Sequence, residues 1–271
     1  MNRYYRPKHL FFAFFCIFTV LACNTDSKKK DSLHTIKPKI DTAKEQSIRL
    51  MGNENVTKKS KKISPDTTKL VPIETAFQQA GLVNVQTLDS TLNVDLRYAT
   101  TDNFVQKNMY GNLSACYLQA AVAQMLLKAQ HQLQQQHPQY SLLLLDCARP
   151  LSVQQQLWNV VKGTPKQKYV ASPQKHSIHN YGVAIDLTIF DTQNNTPLDM
   201  GTPYDYLGKL AQPRYNQQHL DQGMLNQQQV DNRNLLKTVM QQANFRPIPN
   251  EWWHFDGYNL SYTKKHFRVV K

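Results

Sequence analysis

The chain has 271 residues, 41% of them hydrophobic, and a formal net charge of +13. Its length allows one large domain or two small ones. Residues 1–70 carry 15 Lys and Arg against 6 Asp and Glu, whereas residues 71–271 carry 17 against 13. Most of the excess positive charge lies in residues 1–70, outside the aromatic-rich residues 71–271. It therefore does not indicate a nucleic-acid surface, and no nucleic-acid partner is expected.

Residues 1–22 have the pattern of a secretory signal peptide. Basic residues precede an apolar run over residues 10–21, which is shorter than the roughly 20 residues that a membrane-spanning helix needs. Ala22 followed by Cys23 resembles a bacterial lipobox, so Cys23 is predicted to become the lipidated first residue of the mature protein. The alternative is a plain secretory signal with an incidental cysteine.

Residues 23–70 are predicted to form a disordered basic tether, because their Lys, Ser, Thr, Asp and Asn bury too little apolar surface to fold. Their basic clusters suit anionic headgroups or wall polymers, and a simply solvated linker explains them equally well. The lipid anchor predicts a membrane-attached protein of the bacterial cell envelope. We place it on the periplasmic face of the outer membrane, although the residues do not separate inner-membrane, outer-membrane and surface locations.

Residues 71–271 are predicted to form one compact domain. Apolar periodicity and short apolar runs predict its elements: helices over 116–135, 152–161 and 233–245, and strands over 140–146, 182–190 and 251–255. The two types mix without strict alternation, which favours an α+β fold. We expect a central, mostly antiparallel sheet flanked by helices.

Two of the four cysteines remain in this domain. Cys16 leaves with the signal and Cys23 is the lipid site, which leaves Cys116 and Cys147. Two cysteines cannot form a disulfide framework, and neither has a partner at zinc-ribbon spacing. They either pair in an oxidising compartment or remain buried thiols.

The segment from Ser177 to Asp186 carries two candidate metal ligands, His179 and Asp186. Residues 183–185 are apolar, so Asp186 lies in an apparent core strand, where an unpaired carboxylate is costly. Either an arginine or a metal ion must compensate it, and His179 on the preceding turn favours metal. Taken alone, His179 is equally well explained as a surface-loop histidine and Asp186 as a salt-bridge partner.

Glu251 and His254 lie three residues apart in the aromatic segment 251–255. Residues three apart on an ideal strand face opposite sides, so a shared site requires a bulge, a twist, or Glu251 on the preceding loop. Two histidines and one aspartate form the three-ligand set of a catalytic zinc, and a nearby glutamate can take a proton from water. Individually, Glu251 is more typical of a surface acid and His254 of a packed core histidine.

Arg149 follows the leucine-rich strand within Asp146 to Pro150, at a position where a cation is able to stabilise an oxyanion. Its ordinary alternative is an ion pair with Asp186. The other histidines lie in Gln-rich or basic stretches and are expected to be exposed: His131, His137, His219 and His266. His176 is the one rival metal ligand, because it adjoins the 177–186 segment.

Five separated segments resemble the D-alanyl-D-alanine dipeptidases: Asp95–Phe104, Asp146–Pro150, Ser177–Asp186, Leu198–Asp205 and Glu251–Phe255. Together they span nearly all of residues 75–260, and their combination is far more specific than any one of them. This family is known from vancomycin resistance and from recycling of wall dipeptides. It belongs to the zinc D,D-peptidase clan related to the hedgehog fold.

The resemblance implies one zinc ion held by His179, Asp186 and His254. It implies that Glu251 is the general base and acid, which takes a proton from the attacking water and delivers it to the leaving amine. It also implies that Arg149 stabilises the tetrahedral oxyanion. The predicted reaction is hydrolysis of D-alanyl-D-alanine to two D-alanines in cell-wall peptide metabolism.

The resemblance further implies a substrate site formed by Ser177, Tyr98, Tyr110 and Asp205, with Asp205 meeting the free ammonium group of the dipeptide. Acylated or longer peptides would leave that carboxylate unpaired and are expected to be excluded. One alternative is a D,D- or L,D-carboxypeptidase that trims peptidoglycan stem peptides. The other is a non-catalytic wall-binding lipoprotein on the same scaffold.

Overall fold

The computed structural model describes residues 72–271. The predicted signal peptide over 1–22 and the predicted tether over 23–70, which includes Cys23, lie outside the described residues. Among the residues described, the structure contains no helix with the length and apolarity that crossing a membrane requires.

The described chain contains helices and strands of very different lengths, without strict alternation. The helices are α1 Pro72–Gln79, α2 Ala120–Gln136, α3 Leu151–Val161, α4 Asn216–Asp221, α5 Gln227–Gln242 and α6 Leu260–His266. The strands are β1 Val83–Asn84, β2 Asn93–Val94, β3 Tyr117–Leu118, β4 Tyr140–Asp146, β5 Ala184–Asp191, β6 Thr196–Pro197, β7 Arg246–Pro247 and β8 His254–Asp256.

The main sheet is centred on β4 and β5, its two longest strands. Its order is β2-β4-β5-β8-β7, and β6 pairs with the far end of β5. Only β2 and β4 run parallel, and the remaining pairs are antiparallel. A separate pair joins β1 to β3. The domain is therefore of mixed α and β type with a mostly antiparallel main sheet, as the sequence predicted.

The core forms between this sheet and the long helices α2 and α5, which contact each other. Apolar residues at spacings of three and four place one face of α2 against β4, and those on that face are fully buried: Val122, Ala123, Leu126, Ala129 and Leu133. On β5, both faces are buried along almost the whole strand, as expected for a strand inside the sheet. This packing fixes the two strands that carry the site.

Three predicted boundaries were wrong for local reasons. Helix α2 begins at Ala120 rather than at residue 116, because Tyr117 and Leu118 pair with β1 as a strand. Helix α5 begins at Gln227 rather than at 233, because Asn226 and Gln229 form a capping box that starts the helix earlier. The strand predicted over 251–255 is limited to β8, which leaves Glu251 on the loop before it.

Candidate active site

Neighbouring strands place the charged residues of the site side by side. In the sheet register, Asp186 on β5 pairs with Asp146 at the end of β4 and with His254 at the start of β8. The β4–β5 pairing is irregular between Leu144 and Asp146, where β4 leaves the sheet. Glu251 lies on the loop that enters β8, which satisfies one of the geometries that a shared site with His254 required.

A capped turn holds His179. Residues Ile178–Tyr181 form a short 3-10 helix that begins with a capping box. The Ser177 N–H donates to Asn180 Oδ1 at 2.7 Å, and Ser177 Oγ accepts from the His179 N–H at 3.3 Å. Gly182 ends it in the left-handed conformation, with φ of 67°. A Cβ atom at Gly182 would lie 2.8 Å from a Leu82 methyl carbon, so both the conformation and the space favour glycine.

The ligand atoms of His179, Asp186 and His254 all lie within 4.8 Å of one another. His179 Nε2 lies 3.1 Å from His254 Nδ1. Asp186 Oδ1 lies 2.9 Å from His254 Nδ1 and 3.3 Å from His179 Nε2. No other group of three or more His, Cys, Asp or Glu with metal-binding geometry occurs among the described residues.

The outer hydrogen bonds of the two histidines leave lone pairs facing one another. His179 Nδ1 lies 2.7 Å from the Cys147 carbonyl, which can only accept, so Nδ1 carries the hydrogen. His254 Nε2 lies 2.9 Å from Asp256 Oδ1 and donates to it. With both imidazoles neutral in these tautomers, two lone-pair nitrogens and a carboxylate oxygen converge. Such a set fits a divalent cation, and the donor types suit zinc.

Electrostatics favour positive charge at the same point. Burial disfavours the charged form of His254, but Asp256 and Asp186 together raise its pKa well above the usual value. Burial would raise the pKa of Asp186, yet His179 and His254 hold it well below the usual range. The Asp186 carboxylate also accepts a hydrogen bond of 2.9 Å from the Tyr204 hydroxyl.

Arg149 is buried against this cluster and held by three hydrogen bonds. Its Nε and Nη2 donate to Asp146 Oδ2 at 2.9 and 2.5 Å, and its Nη1 donates to Gln154 at 3.0 Å. The Tyr98 ring lies under the guanidinium, with 5.2 Å between Cζ and the ring centroid. Nη2 is 3.8 Å from Asp186 Oδ2, so the cation faces the metal cluster.

Tyr110, which the resemblance places in the substrate site, is not among the residues that line the cleft. Its ring is 1% exposed and does not reach the cleft. Its hydroxyl donates to Asp146 Oδ1 at 2.6 Å, and burial beside that carboxylate raises the pKa of the phenol well above its usual value. Tyr110 therefore orients Asp146, which in turn orients Arg149.

The other predicted site residues share one cleft of about 140 Å³. Its polar lining is Tyr98, Arg149, Tyr169, Ser177, His179, Asp186, Asp205, Glu251 and His254. Its apolar lining is Phe104, Leu157, Val170, Ala171, Leu207, Ile248 and Trp253. Drug-sized ligands occupy pockets of about 300–1,000 Å³, so this cleft suits a small substrate.

Two carboxyl groups in the cleft carry raised pKa values. Burial raises the pKa of Glu251 to about 7, against the opposing effects of His254 and Arg149. Burial, and then repulsion from Asp186, raises the pKa of Asp205 well above its usual range. Asp205 has a positive φ of 60°, accepts a 3.1 Å hydrogen bond from Tyr98, and leaves Oδ2 buried without a partner.

The two cysteines that the sequence left unassigned form a disulfide, with 5.6 Å between their Cα atoms. Cys116 lies just before β3, and Cys147 follows β4. The bond fixes the loop whose Cys147 carbonyl orients His179 and whose next residues lead to Arg149.

Sequence reasoning missed three supporting residues: Asp146, Tyr204 and Asp256. Asp256 was detectable, because residues two apart on a strand share a face and Asp256 follows His254 by two.

The expectation that His219 is exposed was wrong, since only 3% of it is exposed. The rival ligand His176 instead contacts the Tyr181 hydroxyl at 3.0 Å and lies outside the metal cluster.

Comparison with known proteins agrees with this arrangement. A family model for D-ala-D-ala dipeptidases, Peptidase_M15, matches residues 78–271. A D-alanyl-D-alanine dipeptidase of Escherichia coli K12 is 30% identical over 191 residues, which cover 70% of this chain and 86% of that protein. A D-alanyl-D-alanine dipeptidase of Synechocystis is 30% identical over 54% of this chain and 71% of its own length.

The D-alanyl-D-alanine dipeptidase of Enterococcus faecium is 28% identical over 64% of this chain and 89% of its own length. The resemblance seen in the five sequence segments is thus confirmed over the domain that carries the cleft. The chain belongs to the D-ala-D-ala dipeptidase family, and it is a peptidase.

Proposed function

We propose that the protein hydrolyses D-alanyl-D-alanine to two D-alanines in a zinc-dependent reaction of cell-wall peptide metabolism. The main support is the convergence of three lone-pair ligands beside Glu251, Arg149 and Asp205 in one small cleft. The substrate, D-alanyl-D-alanine, is inferred from the names of the relatives. A non-catalytic wall-binding role is disfavoured, because all of these groups are present together.

His179, Asp186 and His254 would hold the zinc ion. When bound, zinc polarises a carbonyl group and lowers the pKa of water, which assists hydrolysis near neutral pH. The Cys147 carbonyl and Asp256 fix the two imidazole rings in the tautomers that ligation requires. Tyr204 orients the Asp186 carboxylate from the side away from the histidines.

Glu251 acts as general base and then as general acid. Its carboxylate takes a proton from the attacking water and delivers it to the leaving amine. A pKa of about 7 suits both transfers, because the group is then able to hold or release a proton near neutral pH. Arg149, held by Asp146 and Gln154, stabilises the oxyanion that forms when water attacks the peptide carbonyl.

Asp205 selects dipeptides with a free amino end. Its raised pKa and its Oδ2, which has no hydrogen-bond partner, mark a carboxyl that Arg149 stabilises only in part. The ammonium group of D-alanyl-D-alanine would supply a full positive charge, with Tyr98 orienting the carboxylate and Ser177 lining the same cleft. An acylated substrate would leave Asp205 unpaired.

Three further assignments are proposals that rest on the sequence: a lipid anchor at Cys23, attachment to the periplasmic face of the outer membrane, and a hedgehog-like arrangement of the domain. The first two concern residues outside the described part of the chain.

The direct test is amine release from D-alanyl-D-alanine by the purified protein, measured before and after chelation and after return of zinc. An acylated tripeptide that ends in the same dipeptide is assayed beside it. Zinc-dependent cleavage of the dipeptide alone supports the proposal. Preference for the tripeptide would reassign the protein as a carboxypeptidase, and cleavage of neither would refute hydrolysis of these substrates.

A further inference from the structure

A second cleft adjoins the catalytic one and shares Ile248 and Glu251 with it. Its volume is about 290 Å³. We call it the cationic cleft, because three of its lining residues are basic: Arg214, Arg233 and Lys237. None of the residues assigned to the metal cluster or to substrate binding lines it.

The three cations of this cleft lack acidic partners. Glu251 is the only acidic residue in the lining, and it faces the catalytic cleft as well. Within residues 72–271, no salt bridge joins Arg214, Arg233 or Lys237 to a carboxylate. The lining of the cleft therefore has an excess of positive charge that no salt bridge among the described residues balances.

Arg233 is the innermost of the three, with 3% of its surface exposed. Its Nε donates to the Met200 carbonyl at 2.7 Å, and its Nη1 donates to Asn216 Oδ1 at 2.8 Å and to the Leu210 carbonyl at 3.1 Å. These acceptors are all neutral, and Nη2 has no acceptor. Burial lowers the pKa of the guanidinium to about 10. Asp199 opposes this shift, but within residues 72–271 it forms no salt bridge with Arg233. A buried cation left unpaired is costly, so a nearby anion would be favoured.

Arg214 and Lys237 extend this charge to the mouth of the cleft. Arg214 donates from Nε and Nη2 to Gln212 Oε1, at 3.1 and 2.7 Å, and stacks on the Tyr215 ring. Its guanidinium is thus held in place before any ligand arrives. Lys237 lies four residues after Arg233 on α5, and residues four apart share a helix face.

The remaining walls of the cationic cleft are largely apolar. Three prolines, an isoleucine and two aromatic residues contribute: Pro213, Pro247, Ile248, Pro249, Trp252 and Phe255. An inorganic ion would leave those walls in contact with water. A carboxylate with an apolar body would place its charge among the cations and bury its body against the walls.

We propose that the cationic cleft binds a small organic anion, a carboxylate with an apolar body, and that the bound anion reduces catalysis through the shared segment from Ile248 to Glu251. The second half of this statement rests on the proposed function. Because the catalytic cleft has its own lining apart from that segment, we expect a lower kcat with little change in KM.

The binding test uses benzoate as the probe and calorimetric titration of the zinc-loaded protein. Benzamide, which lacks the charge, and inorganic phosphate, which lacks the apolar body, are titrated in parallel. Arg214→Gln/Lys237→Met removes two exposed cations of the cleft. Arg246→Gln/Lys264→Met is the matched control, because it removes an exposed arginine and an exposed lysine outside the lining.

We expect benzoate to bind more tightly than benzamide or phosphate, and the cleft variant to weaken it at least tenfold while the control variant does not. Equal binding to the cleft variant would place the anion elsewhere, including at the metal, and would refute the proposal. Absence of benzoate binding, or preference for phosphate, would refute the ligand class. Binding is measured without turnover, so this result stands even if the proposed hydrolysis fails.

The coupling to catalysis is tested by adding benzoate to the dipeptide assay. We expect kcat to fall in the wild type and in the control variant but not in the cleft variant, whose basal activity should be unchanged. Inhibition that raises KM alone, or that persists in the cleft variant, would contradict an effect through the shared segment.

Discussion

The two ends of the catalytic cleft differ in how completely their polar groups are paired. At the metal end, each proposed ligand has an outer partner: the Cys147 carbonyl for His179, Tyr204 for Asp186 and Asp256 for His254. At the opposite end, Asp205 has a left-handed backbone, one hydrogen bond to Tyr98 and an unpaired buried oxygen.

This difference separates groups that are organised in advance from groups that are completed by a ligand. Groups that must act on a transition state work best when they are already oriented, and the metal end with Arg149 meets that condition. Backbone strain and an unpaired charge, in contrast, are typical of positions that bind ligands. We therefore expect variants at the metal end to change catalysis or metal affinity, and variants at Asp205 to change substrate choice.

The largest effect is expected from Glu251→Gln, which keeps the shape of the side chain but removes its basicity. General acid–base catalysis contributes about 10²- to 10⁴-fold, so kcat should fall by that factor while zinc content stays the same. Glu74→Gln is the matched control, because Glu74 lies on α1 outside the cleft. A loss of zinc, or a kcat close to that of the wild type, would contradict the role of Glu251 as a base.

Asp205→Asn should weaken the preference for a free amino end. Loss of a charge-assisted hydrogen bond of about 1.5–3 kcal/mol lowers kcat/KM for D-alanyl-D-alanine about 10- to 100-fold. The acylated tripeptide has no ammonium group, so its kcat/KM should not fall. Asp231→Asn, on the exposed side of α5, serves as the control. Equal losses of kcat/KM on both substrates would mean that Asp205 does not recognise the amino group.

Asp256→Asn tests the outer partner of His254. Removing such a partner typically weakens metal binding about 10- to 100-fold. Competition with a chelator should show that loss, and excess zinc should restore much of the activity. Asp221→Asn, at the exposed last residue of α4, should retain zinc as the wild type does.

The pH dependence follows from Glu251. A general base must be ionised, and a raised pKa keeps this carboxyl protonated over a wider acidic range, so kcat/KM should fall about tenfold per pH unit below the pKa. Bound zinc would lower the pKa of Glu251 from about 7, because a nearby cation favours the ionised form. An acidic limb between about 4.5 and 7 is expected, and it should be absent in Glu251→Gln.

Much of the metal cluster was predictable from sequence because its signals are local. The turn around Gly182 and the apolar run before Asp186 indicated an acid entering a core strand after a histidine. Whether Glu251 and His254 share a site depended on where β8 begins, which the aromatic run concealed. The order of the five segments then identified the family.

The supporting contacts were hidden because they join residues far apart in the chain. Asp146 meets Tyr110 across 36 residues, and Cys116 meets Cys147 across 31. Tertiary packing decides such contacts, and no local sequence pattern encodes them. For this reason the sequence did not reveal that Tyr110 contacts Asp146 and lies outside the lining of the cleft.

The smallest effect on activity is expected from Cys116→Ala/Cys147→Ala, which removes the covalent tie behind the metal end. A disulfide that closes a loop of this size contributes about 3–4 kcal/mol to stability. Leu133→Ala, in the core of α2, should destabilise by a similar amount, about 2–5 kcal/mol, without touching the Cys147 loop.

Both variants are compared at a temperature well below their unfolding transitions. If the disulfide orients the Cys147 carbonyl, only the cysteine variant should lose zinc affinity and several-fold in kcat/KM. Equal zinc affinity in the two variants would show that the disulfide stabilises the fold alone, and the metal end would then be organised by its hydrogen bonds without covalent help.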